Sequence, residues 1–187
     1  MAKVKRGIAL AGLLCGLVML GAATLKRADG SLSGPEPDFG RMIKGYRSWD
    51  RVNSEPFRMA PAVSVACAAP AAGQVSPHGG PDAYIDVYVN PAGRAAMLTP
   101  GHVVFPVGTV IVKEKRHAAD AADPELLTVM LKRARGYNPE TGDWEFAVLD
   151  GKAVEVQAQG RLENCMACHK TIAASDYVFR PYLPANH

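Results

Sequence analysis

The sequence predicts an α+β fold, mainly an antiparallel β-sheet with a few short helices. Three observations carry that prediction. Tyr84 to Val89 places Ile85, Val87 and Val89 at alternate positions, and Thr109 to Val112 is an unbroken β-branched run. Turn residues punctuate the later segments at Asn138-Pro139-Glu140-Thr141-Gly142 and at Asp150-Gly151. Helical patterning is confined to two short stretches, one after Asn90 and one from Cys165 to Ala174.

At the N-terminus, Lys3, Lys5 and Arg6 precede an uncharged run from Gly7 to Leu25, and Lys26-Arg27 follow it. A basic start and an apolar stretch with small residues describe a secretion signal. An uncleaved single-span anchor fits nearly as well, because ~20 apolar residues cross a bilayer. Either way the rest of the chain is periplasmic, soluble after cleavage or held through residues 7–25. Asp29 to Gly40, rich in Gly, Ser and Pro, reads as a linker, and the chain divides into residues 1–33 and a domain of residues 34–187.

Within that domain Tyr84–Val89 is a strand, and Asn90-Pro91 then caps and opens a short helix through Met97. Thr109–Val112, Leu126–Leu131 and Trp144–Leu149 are further strands. Asp150-Gly151 turns the last of these into Val154–Ala158 as a hairpin. About five strands result.

Composition narrows the function. Hydrophobic residues make up 48% and charged residues 21% of 187, so the chain buries a core. Of 21 Lys and Arg, five lie in the first thirty residues, against one of the 18 acids. The remainder holds 16 bases and 17 acids, and a nucleic-acid partner loses its main support.

Cys165-Met166-Ala167-Cys168-His169 is a C-x-x-C-H motif. Two thiols on one helical turn can form thioethers to the two vinyl groups of one haem, with His169 as an axial ligand of its iron. A redox pair would follow the first strand of a βαβ unit, whereas this motif follows the whole sheet. A zinc site needs a second Cys/His pair at ligand spacing, and the sequence has none. One c-type haem is therefore the expected cofactor. Met59, Met97, Met130, His78, His102 and His117 are candidates for a sixth ligand, and spacing singles out none of them. Without one, the distal side is open to a small molecule.

Other residues read more plainly. Cys67 in Val65-Ala66-Cys67-Ala68 is a buried thiol, and Trp49 and Trp144 are packing residues. Lys132, Arg133 and Arg135 read as a solvated strand end, or as a face for haem propionates or an acidic redox partner. Lys113 shares strand parity with Phe105, Thr109 and Ile111, opposite Val110, Val112 and Glu114. It reads first as a strand-end lysine reaching solvent. Against a haem it would instead be a desolvated, nucleophilic amine.

Taken in series, these landmarks resemble the cytochrome P-460 family, which includes the gas-binding cytochromes c′-beta. The resemblance rests on Tyr84–Asn90, Phe105–Glu114, Gly136-Tyr137 with Gly142-Asp143-Trp144, and the haem motif followed by Asp176-Tyr177-Val178-Phe179. It spans roughly Trp49 to Tyr182. It implies one haem c attached at Cys165 and Cys168, His169 as proximal ligand, an open distal side, and often a homodimer. In hydroxylamine-oxidising members a lysine of the G-T-x-x-x-K-E segment is cross-linked to the haem, and Lys113 occupies that place. In the cytochromes c′-beta aromatic side chains overhang the distal face, and Phe105 is the candidate here. No distal carboxylate is found where oxidising members carry polar groups: the matching strand shows Ile85, and Gly160-Arg161 precede the haem helix.

Two functions follow as expectations. One is an exported five-coordinate haem protein that captures nitric oxide or a related small molecule. The other is an enzyme oxidising hydroxylamine or nitric oxide, with Lys113 cross-linked and electrons passed to an exported redox protein. Simple electron transfer is the third.

Overall fold

Hairpin-like connections between strands build an antiparallel meander, and the computed structural model shows one over residues 36–60 and 83–183, the residues it describes. Seven strands among them form one sheet. β1 (Asp50–Arg51) and β2 (Phe57–Arg58) both pair with β3 (Tyr84–Val89). The sheet continues through β4 (Val110–Arg116), β5 (Leu126–Lys132), β6 (Trp144–Asp150) and β7 (Val156–Gly160). The five strands read from sequence are all present. β1 and β2 are two residues each, too short to show a period.

β7 begins at Val156 rather than Val154 for a specific reason. Asp150 Oδ1 accepts the N–H groups of Val154 and Glu155, each at 2.7 Å, which keeps them in the turn. β4 runs on to Arg116, beyond the β-branched run, so Lys113 is in mid-strand.

Three short α-helices flank the sheet among the described residues: α1 (Phe39–Met42), α2 (Pro91–Leu98) and α3 (Glu163–His169). Asn90 caps α2 as expected, its Oδ1 accepting the Gly93 N–H at 3.2 Å and the Val110 N–H at 3.0 Å. Gly93 lets α2 lie on the sheet, since a Cβ there would meet Thr109 Cγ2 at 2.3 Å. The helix expected through Ala174 tightens after His169 into a 3₁₀ stretch, Lys170–Ser175. The far end of the stretch read as linker is folded: Asp38 caps α1, and Phe39 is fully buried.

The sheet is covered on both faces. One carries Ile85, Val87, Val89, Ile111 and Phe146 against α2, Met166 and Val178. The other carries Val110, Val112, Leu127, Val129 and Leu149 against Phe39, Ile43 and Tyr46. This is why Asp86 and Tyr88 of β3 are buried although its apolar residues alternate. The segment 1–33 expected to act as a signal or anchor, its apolar run 7–25, Cys67 and His78 lie outside the described residues. No described helix is long and apolar enough to cross a membrane.

Candidate cofactor site

α3 sets the geometry of the C-x-x-C-H motif. Its 3.6-residue period puts Cys165 and His169, four apart, on one face, with Cys168 beside them. Both cysteines are thiols, each partly exposed, while Met166 and His169 are buried.

His169 is held in one tautomer. Its Nδ1 lies 2.6 Å from the Tyr177 carbonyl oxygen. A carbonyl only accepts, so Nδ1 carries the proton and Nε2 keeps the lone pair that a metal takes. Phe146 and Phe179 flank the ring at centroid distances of 5.1 and 5.3 Å. Burial lowers the imidazole pKa to about 4, with the Tyr177 bond opposing and the Lys113 charge adding to the fall. The ring is neutral near pH 7, as an iron ligand must be.

A small notch of about 30 Å³ opens beside the motif. It is too small for a porphyrin, so it marks which side chains converge rather than the bounds of a cofactor. Ile111 and Lys113 of β4, Thr128 and Met130 of β5, and Phe146 of β6 line it together with Cys165 and His169. Lys113 stands opposite Val87 and Thr128 in the register and is partly buried, so the strand-end reading does not hold. Its charge reaches both motif residues: it lowers the Cys165 thiol as well as His169. Burial dominates at Cys165, with Cys168 adding, and pushes that thiol up to about 11.

Phe105 does not line the notch. It is fully enclosed and packs edge-on against Trp144 at 5.5 Å. Of the sixth-ligand candidates, Met59 and Met97 are buried in the core, and His102 and His117 are exposed. Met130 alone among the described ones lines the notch.

The sequence reading missed the support behind His169. Asp176 and Tyr177 follow the helix with φ of 50° and 64°, two consecutive left-handed non-glycine residues. Each such residue costs about 1–3 kcal/mol, so the surroundings must enforce them. Lys132 Nζ bonds both Asp176 carboxylate oxygens at 2.8 and 2.7 Å. The Phe105 N–H donates to Asp176 Oδ2 at 2.7 Å, and Trp144 Nε1 donates to the Asp176 carbonyl at 2.8 Å. Lys132 is thus buried and paired, not solvated, while Arg133 pairs with Glu145. The only sequence trace of this arrangement is the run Asp176-Tyr177-Val178-Phe179 just past the motif.

On the opposite sheet face, Glu114 is fully buried. It accepts from Tyr46 and Arg47 at 2.6 Å each and from Arg116 at 2.5 Å. A larger cleft of about 840 Å³ is lined by Lys44, Arg47, Glu125, Asp150 and Lys152 among others, and holds no motif residue. Chemistry, not volume, picks the site.

Two thiols beside a neutral imidazole whose Nε2 keeps its lone pair are a donor set that suits haem. The chain matches the Cytochrome P460 family over residues 43–180, most of its length, and it belongs to that family. No curated protein matches it.

Proposed function

We propose that the chain carries one covalently bound haem c and uses it to bind nitric oxide or a related small nitrogen compound. Cys165 and Cys168 would hold the group by thioethers, each thiol adding across a vinyl double bond with its proton passing to carbon. His169 would ligate the iron through Nε2. Bound there, the group would supply a redox-active iron able to take a small nitrogen compound. The observation that carries this reading is the convergence of Cys165, His169 and Lys113 on one notch, with His169 already in the ligand tautomer. The chain's own residues bury the imidazole, keep it neutral and flank it with Phe146 and Phe179.

The N-terminal pattern of Lys3, Lys5, Arg6 and the apolar run supports export to the periplasm. There an exported redox protein would exchange electrons with the haem. The ferrous absorption spectrum tests the central claim. A five-coordinate spectrum that converts on adding nitric oxide is expected. A low-spin six-coordinate spectrum without added ligand overturns it and points to a protein ligand such as Met130.

A second reading, oxidation of hydroxylamine or nitric oxide, is favoured by the place of Lys113. Lys113 lines the same notch as Cys165 and His169, and in this reading its amine would form a bond to the haem edge. That bond would exchange an N–H and a C–H for C–N, releasing two protons to solvent and two electrons through the iron to the exported redox protein. Mass spectrometry of the haem peptide would show the Lys113 segment joined, lighter by two hydrogens. Separate peptides reject this reading and leave the first in place. The described lining of the notch carries no carboxylate to take the substrate's protons, which is why gas binding stands first.

A further inference from the structure

We infer that the buried Lys132–Asp176 ion pair is a positioning device that sets the electron-donor strength of His169 toward the haem iron. The inference rests on the assignment of His169 as the iron ligand. His169 is oriented by one acceptor, the Tyr177 carbonyl at 2.6 Å, and that carbonyl belongs to a backbone segment of unfavourable conformation. The three-membered clamp on the preceding residue enforces it. Lys132 from the end of β5 takes both Asp176 carboxylate oxygens, the Phe105 N–H takes one of them, and Trp144 at the start of β6 takes the Asp176 carbonyl. Lys132 also lies 5.1 Å from the Trp144 ring centroid, so cation, indole and carboxylate form one unit.

The physical consequence runs through a single proton. A short Nδ1–H···O=C bond pulls that proton toward the carbonyl and raises the basicity of Nε2. A more basic ligand favours ferric over ferrous iron, which lowers the midpoint potential. Loosening the clamp lets the Asp176-Tyr177 turn relax, lengthens the bond to His169 and reverses both effects.

Lys132→Met in the full haem-loaded protein tests this. The expected result is a higher midpoint potential, about tenfold in the ferric/ferrous equilibrium or ~59 mV for one electron. A lower Fe–His stretching frequency in the ferrous protein should accompany it. Lys132→Arg, which keeps a cation for Asp176, should restore much of both. Asp86→Asn is the control: it breaks another buried ion pair, with Arg51 and Arg116, and should cost stability while moving neither readout. If Lys132→Met loads haem and both readouts stay at the wild-type values, the inference is overturned. If that variant does not load haem, Trp144→Phe removes the indole donor to Asp176 while leaving the Lys132–Asp176 pair, and must shift the readouts the same way. If His169→Ala leaves the haem spectrum unchanged, the ligand assignment itself is wrong and this inference falls with it.

Discussion

Lys113 and Glu114 share a peptide bond and serve opposite layers of the sheet. Lys113 lines the notch with Cys165 and His169, whereas Glu114 is fully buried on the far face among Tyr46, Arg47 and Arg116. The alternation of a strand separates them. A one-residue slip of β4 would exchange the two, which would put a carboxylate on the cofactor wall and a lysine among arginines. The Glu114 cluster therefore pins the register that delivers Lys113 to the site.

Glu114→Gln should cost about 3 kcal/mol, the scale for breaking a buried ion pair. Burial pushes the Glu114 carboxyl up, but hydrogen bonds from Arg47, Tyr46 and Arg116 outweigh it and hold its pKa below the ordinary carboxylate value. A depressed carboxyl stabilises the fold above its unfolded pKa and loses that contribution as the pH falls through the folded value. Denaturant titrations from pH 7 downward should show a shallower acid loss in the variant than in the wild type. Equal acid slopes would contradict the assignment.

Gly142→Ala should destabilise the protein by at least about 2 kcal/mol through overpacking. Gly142 has φ +61°, and a Cβ there would meet the Tyr177 ring at 2.7 Å and Asp176 Oδ1 at 2.8 Å. Because those residues orient His169, the haem absorption should change along with the melting temperature. A lower melting temperature with an unaltered spectrum would show that the contact is structural only.

Cys168→Ala should retain haem through one thioether, with the pyridine complex absorbing at longer wavelength because one vinyl group survives. His169→Ala should lose stable iron ligation. A normal two-thioether spectrum from Cys168→Ala would disprove the attachment.

Phe39→Ala should cost about 3–5 kcal/mol, as for a fully enclosed aromatic side chain. Phe39 is 0% exposed and packs beneath the face opposite the motif. Chemical denaturation measures the loss, and a cost under about 1 kcal/mol would mean that α1 is not part of the core.

Much of this protein is legible from residue order because the signals are local. Strand alternation, the Asn90 cap, the Asp150-Gly151 turn and the C-x-x-C-H spacing each depend on residues within one element, and all reappear in the fold. The resemblance carried by the ordered landmarks is likewise a property of the chain alone, and family membership agrees with it. What tertiary structure decided was every pairing across elements. A basic cluster at the end of β5 looks the same in sequence whether solvated or buried, yet Lys132 meets Asp176 across 44 positions. Phe105 shares strand parity with Lys113, but its loop carries it to Trp144 instead of the notch. Lys113 itself reads as a strand end until β4 is seen to continue to Arg116, and until α3 is seen to face it. Periodicity tells which side of a strand a residue takes. Only packing tells what lies on that side.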